Sequence, residues 1–231
     1  MSYLKKYDIN KKGQDYVVGD IHGMFCSLYN TLKKLDFDFK NDRLFSVGDL
    51  CDRGPDSSKI LQLLAQPWFH PVMGNHEQIL FLYETKQVNE SDMRNVGASW
   101  WLTMEEKEKK EILKKYQALP IAIQVQTATK KIGIIHAECP FADWNLLEQG
   151  LLSFNSSKFI NTALWSTRSP ENTHTIKNID AVIVGHMTQD EYIIRGNTHL
   201  IDTGAVYPDG HFTILHLDSL TPNLNINKLK I

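Results

Sequence analysis

The chain is poor in the features that mark several large classes of protein. Three cysteines, Cys26, Cys51 and Cys139, are an odd number without metal-knuckle spacing, so neither a disulfide framework nor a zinc ribbon is expected, and reduced thiols fit best. No run of about 18 apolar residues exists to cross a membrane, and the opening Met1-Ser2-Tyr3-Leu4-Lys5-Lys6 has no apolar stretch behind its lysines. A cytoplasmic protein without a membrane partner is predicted. There is no basic excess either: the formal charge is −2, which provides no overall field to recruit nucleic acid. Repeats, low-complexity tracts and Gly/Ser linkers are also missing. What remains is an ordinary globular composition, 42% hydrophobic and 23% charged over 231 residues, read as a single domain over 1–231.

Against that background one pattern recurs. A short β-branched or apolar run ends on a Gly-Asp, Gly-Asn or His turn. Gln14–Val18 runs into Gly19-Asp20, Arg43–Val47 into Gly48-Asp49, and Pro71–Met73 into Gly74-Asn75. Lys131–Ile135 then runs into His136, and Ala181–Val184 into Gly185-His186. Such runs predict buried strands. The amphipathic stretch Ser27–Leu35 between the first two predicts a helix, and the alternation argues for an α/β fold with largely parallel pairing. The ligand crevice of an open α/β sheet lies at the C-terminal strand ends, so these turns are expected along one edge of one sheet. Residues 84–118 read as mainly helical, with Thr103 and Glu106 as a capping box, acids early, lysines late and Pro120 closing the segment. Its charges fit a solvated face better than a docking face. After His186 a β-meander is predicted: 191–194, a Gly196-Asn197 turn, 199–201, then 212–217.

Each turn alone has an unremarkable explanation. Asp20 and His22 could be a buried hydrogen-bonded pair, Asp49–Arg53 an ion-paired turn, Asn75 a cap for a helix over 77–83, and His136 and His186 core histidines. Together they bring Asp, His, Asp, Asn, His and His to strand ends. That nitrogen-and-oxygen set suits Mn²⁺, Fe²⁺ or Zn²⁺ better than Mg²⁺ or Ca²⁺. Six ligands exceed one tetrahedral site and match two metals sharing a carboxylate.

The segments Gly19-Asp20-Ile21-His22-Gly23, Gly48-Asp49-Leu50-Cys51-Asp52-Arg53-Gly54, Gly74-Asn75-His76-Glu77, His136 and Gly185-His186 resemble the phosphoprotein phosphatases among the calcineurin-like metallophosphoesterases, in particular the small phage and bacterial Ser/Thr phosphatases. The likeness extends to Pro67-Trp68-Phe69, His136-Ala137-Glu138 and Ile201–Val206, and is weakest over 84–117. It implies a central β-sandwich flanked by helices with the site at the C-terminal strand ends. One metal would be held by Asp20, His22 and Asp49, and the second by Asp49, Asn75, His136 and His186. Mn²⁺ is the expected ion, with iron or zinc as alternatives. The resemblance further implies His76 as general acid, Asp52 as its orienting partner, and Arg53 and Arg168 on the phosphoryl oxygens. The reaction would be direct in-line hydrolysis of a phosphoprotein, phosphopeptide or small phosphoester by hydroxide activated between two metals. Two departures stand out. Trp165-Ser166-Thr167-Arg168 is one residue longer than the family's Trp-x-Arg, and Met73 replaces an arginine that many relatives have before Gly-Asn-His-Glu. Symmetrical diadenosine tetraphosphate hydrolases share the three leading motifs and form the alternative. An inactive metal-binding scaffold is a weaker one, because every expected ligand is present.

Overall fold

A computed structural model describes residues 3–167 and 173–222. Among them eleven strands form two sheets. The first sheet has the order β11-β10-β2-β3-β4, with β2 Asp15–Val18, β3 Arg43–Ser46, β4 Phe69–Pro71, β10 Ile214–His216 and β11 Thr221–Pro222. Here β2, β3 and β4 run parallel, and β10 is antiparallel to β2. The second has the order β1-β5-β6-β7-β9-β8, with β1 Leu4–Tyr7, β5 Ala122–Gln126, β6 Lys131–Ile135, β7 Ala181–Val184, β8 Ile193–Arg195 and β9 Thr198–Leu200.

The two-residue side-chain period explains the layering. In β3, Phe45 faces the space between the sheets, while Leu44 faces the opposite way. In β7, Ala181 and Ile183 meet that same inner core, while Val182 and Val184 turn outward. Val17, Val72, Ile123, Val125, Ile132 and Ile134 complete the inner layer. The outer face of the first sheet is covered by α1 Phe25–Lys34, α2 Ile60–Leu64, α3 Asn75–Glu84, α4 Glu90–Asn95, α5 Ser99–Leu102 and α6 Glu106–Gln117. The outer face of the second is covered by α7 Leu147–Leu151 and α8 Ser156–Trp165. The result is the sandwich flanked by helices that the family resemblance implies.

Several expectations change. The strand ends do not lie on one sheet: β6 and β7 pair with each other and belong to the second sheet. The tail is not a meander. β8 and β9 form the hairpin across Gly196-Asn197, but β9 pairs parallel to β7 and β10 crosses to the first sheet beside β2. Thr103 caps nothing at α6. Its hydroxyl donates to the Trp100 carbonyl at 3.2 Å, and Glu105 occupies the N-cap position without a side-chain bond. Asn75 is the first residue of α3 rather than its cap, which is Gly74.

Candidate active site

The C-terminal ends of the two sheets meet, and side-chain to main-chain hydrogen bonds join them. His136, after β6, places Nδ1 2.8 Å from the Val47 carbonyl just past β3. His186, after β7, donates its main-chain N–H to both Asp20 oxygens, at 3.1 and 3.3 Å. Backbone strain concentrates here. Of nine non-glycine residues with positive φ among those described, five are His22, Asp49, Asp52, Arg53 and His186. Such conformations are held only where surrounding structure enforces them, and they cluster at functional sites.

Asp49 is central. Its carboxylate lies 3.4 Å from His136 Nε2, 3.8 Å from His22 Nε2 and 3.9 Å from His76 Nε2, and it accepts the His76 main-chain N–H at 3.0 Å. Burial alone would raise its pKa, but His136 and His76 hold it well below the usual carboxylate range. Two sets of potential metal-binding atoms form around it, one with His22 and His76 and one with His136 and His186. The Asn75 amide extends the second set, with one terminal atom 2.7 Å from His136 Nε2 and 3.0 Å from His186 Nδ1; without a cation its N–H fits that position, donating to the histidines and to Asp49, and with one its oxygen would turn there. His136 gives its Nδ1 proton to the Val47 carbonyl, so Nε2 is the atom that faces Asn75 and Asp49. Against its burial, Asp49 raises the pKa of this ring, and a cation bound here would take the place of the Nε2 proton. His22 is built alike, with Nδ1 2.9 Å from the Cys51 carbonyl and Nε2 facing inward. Burial pushes His22 down to about 3 and His186 to about 4, so both rings are neutral near pH 7, the state a ligand requires. The donor set therefore fits divalent cations, with Asp49 common to both groups.

Asp20 falls outside both sets. Burial, then Asp202 and Asp49, push its pKa well up, and its carboxylate braces His186 through the main chain. His76 takes a place in the first set, and its Nδ1 lies 2.6 Å from Asp52 Oδ2. Burial opposes a proton on His76, but Asp49 and Asp52 outweigh it and raise its pKa. Arg53 reaches across the same space, with Nη1 2.6 Å from His22 Nε2 and Nη2 3.1 Å from His76 Nε2. Arg168 lies outside the described residues. Met73 is buried in the α7–α8 core, so no cation replaces the absent arginine at that position. Cys51 is buried, accepts the Tyr116 hydroxyl at 3.1 Å and has its thiol pKa pushed well up, as befits a packing residue.

Three contributors were not legible as such. Glu77, fully buried, accepts N–H bonds from Asp49 at 2.9 Å, Leu50 at 2.8 Å and Gly74 at 2.8 Å, and so fastens two of the motifs together. Burial and Asp49 push it up to about 7. Its position in Gly-Asn-His-Glu was visible, but its partners were not. Asp202 is buried beside Asp20, anchored by the Thr188 hydroxyl at 2.7 Å and the Gly204 N–H at 2.9 Å. Trp100 donates its indole N–H to Asp52 Oδ1 at 2.7 Å, and no sequence signal connects residues 48 apart.

Residues 16–190 match the calcineurin-like phosphoesterase family. Serine/threonine-protein phosphatase 2 of Salmonella typhimurium is 33% identical over 216 residues, covering 89% of this chain and 94% of that protein. A symmetrical bis(5'-nucleosyl)-tetraphosphatase of Coxiella burnetii is 28% identical over 178 residues, covering 76% of this chain and 56% of that protein. A crystal structure of a protein proposed to be a diadenosine tetraphosphatase superposes with a TM-score of 0.65 at 19% identity, covering 97% of this chain and all of that one. With its two-sheet sandwich and its ligand sets at the joined strand ends, the chain belongs to the calcineurin-like phosphoesterases, a family that works through a dinuclear divalent metal centre.

Proposed function

We propose that the protein is a phosphomonoester hydrolase acting on phosphoserine and phosphothreonine in proteins, and on small phosphoesters. The observation that carries this reading is the convergence of Asp49, Asn75, His136 and His186 at one end of the sandwich, beside an Asp52–His76 pair and a guanidinium. Divalent ions bound by His22, Asp49, Asn75, His136 and His186, with Asp20 joining them on turning a carboxylate oxygen away from the His186 main chain, would polarise the phosphoryl oxygens and acidify water at neutral pH. The chain's own groups would do the rest. Arg53 offers a planar fork of donors that matches a phosphoryl face. An alkoxide leaves poorly without a proton, and His76 Nε2 opens on the space that Arg53 spans. Asp52 holds the opposite ring nitrogen, which fixes the imidazole and favours its protonated form.

Among the sequence relatives, coverage favours the protein-phosphatase reading over the dinucleotide one. The Salmonella phosphatase is matched over 94% of its length, whereas the tetraphosphatase is matched over 56%. The test is a parallel assay of p-nitrophenyl phosphate, a phosphoserine peptide and diadenosine tetraphosphate in Mn²⁺, followed by metal analysis. Turnover of the monoesters supports the proposal. Turnover of the dinucleotide alone would replace it with the symmetrical hydrolase reading.

A further inference from the structure

The connection from α4 to α5, and α5 itself, each touch the Asp52-Arg53 segment once. Arg53 donates its main-chain N–H to the Gly97 carbonyl at 3.0 Å. Gly97 has φ +85, and a Cβ there would stand 2.7 Å from Arg53 Cγ and 2.8 Å from its nitrogen, so only glycine lets the strand-end turn and the helical wall come this close. Three residues on, the Trp100 indole N–H donates to Asp52 Oδ1 at 2.7 Å. The other oxygen of the same carboxylate is 2.6 Å from His76 Nδ1.

Asp52 is buried, with its backbone at φ +74. A carboxylate bonded through one oxygen can still turn about its Cβ–Cγ bond, and the ring it holds turns with it. Donors on both oxygens remove that freedom. Trp100 suits the task because the indole is rigid and offers a single donor with no acceptor. It is braced in turn by an edge-on contact with Trp101, ring centroids 5.5 Å apart, while the Trp101 N–H is taken by Glu84 at 2.9 Å.

We propose that Trp100 is a positioning residue for leaving-group protonation, fixing the plane of Asp52 so that His76 Nε2 stays aimed at the departing oxygen. The inference rests on the reading of His76 as proton donor. It assigns to the helical segment a task in the chemistry that packing alone would not require.

The test is Trp100→Phe, which keeps a ring in place and removes the donor, assayed on two aryl esters. General acid catalysis contributes about 10²–10⁴-fold where the leaving group needs a proton, so loosening the donor should lower kcat about tenfold for phenyl phosphate, whose phenol has a pKa of about 10. For p-nitrophenyl phosphate, whose phenol is more acidic, the loss should be less than about twofold, with KM unchanged for both esters. Trp144→Phe removes an indole donor, to Gln124, from the core of the second sheet and should leave the ratio of the two rates at the parent value. Equal losses on both esters, no loss, or the same change in Trp144→Phe would each overturn the proposal. His76→Asn separates this outcome from failure of the functional reading. If His76→Asn raises the leaving-group dependence and Trp100→Phe does not, only the Trp100 role falls. If neither does, the assignment of His76 as acid falls. A spectroscopic readout that needs no tryptophan variant is the Trp100 indole N–H resonance, which should shift on Asp52→Asn, and an unmoved resonance would overturn the contact.

Discussion

Gly74→Ala is a clean probe of the metal-binding geometry. Gly74 has φ −103 and ψ 177, a region open to alanine, so the backbone itself does not object to the substitution. Only space does. A Cβ at this position would lie 2.2 Å from Asp49 Oδ1, 2.4 Å from Asp49 N and 2.9 Å from Glu77 Oε2. Real Cβ atoms essentially never come closer than 3.0 Å, so both the Asp49 carboxylate and its main chain must retreat. That retreat stretches the bond from His76 N–H to Asp49 Oδ1, now 3.0 Å, and the Glu77 bonds to Asp49 and Gly74, now 2.9 and 2.8 Å. Overpacking of this kind costs about 2–3 kcal/mol, which lowers Tm by roughly 4–12 °C in a chain of this size. Because Asp49 is the carboxylate common to both ligand sets, a shift on the order of 1 Å should reduce kcat/KM by about 10²-fold. Thermal melts with and without Mn²⁺, calorimetric titration of Mn²⁺ and steady-state kinetics measure each part. A variant that melts, titrates and turns over like the parent would refute the packing of Gly74 against the Asp49 carboxylate.

Asp49→Asn should remove metal-dependent turnover and at least one calorimetric metal event, since it removes the charge shared by both sets, and near-parent activity would rule out the bridge. His199, held by the Tyr192 hydroxyl, is pushed down to about 4 from 6.5 by burial. Its unfolded form therefore binds a proton that the folded form excludes, so stability present above pH 6.5 drains away as pH falls toward 4, by up to about 3 kcal/mol. His199→Gln should flatten that limb of the denaturation profile, and an unchanged pH slope would refute the assignment. Cys26 is exposed while Cys51 and Cys139 are buried. Iodoacetamide on the native protein should add one group slowly, because Asp56 beside Cys26 raises its thiol pKa, and activity should survive. Loss of activity in step with Cys26 labelling would contradict the cysteine-independent mechanism.

Much of this site was legible because its parts are local. A β-branched run followed by Gly-Asp or Gly-Asn sets a strand and its terminating turn within about eight residues, and steric preference acts at that range. The strands ending at Asp20, Asp49, His136 and His186 therefore lie where the residues suggest. Features made by partners distant in sequence were not legible. Whether β7 joins β3 or β6 depends on which apolar faces bury against each other, and hydrophobic burial has no direction that a local pattern records. So the two sheets, and the crossing of β10 to the first, emerged only in three dimensions. The same holds for Glu77 clamping Leu50 and for Trp100 holding Asp52. Thr103 followed by Glu106 reads as a cap, but its hydroxyl finds the Trp100 carbonyl of the preceding turn instead. The sequence alone determined which residue types stand at the ends of which strands. Tertiary structure decided that two sheets rather than one bring them together, and which buried neighbours set their charge and aim, because pairing, desolvation and orientation depend on contacts between segments far apart in the chain.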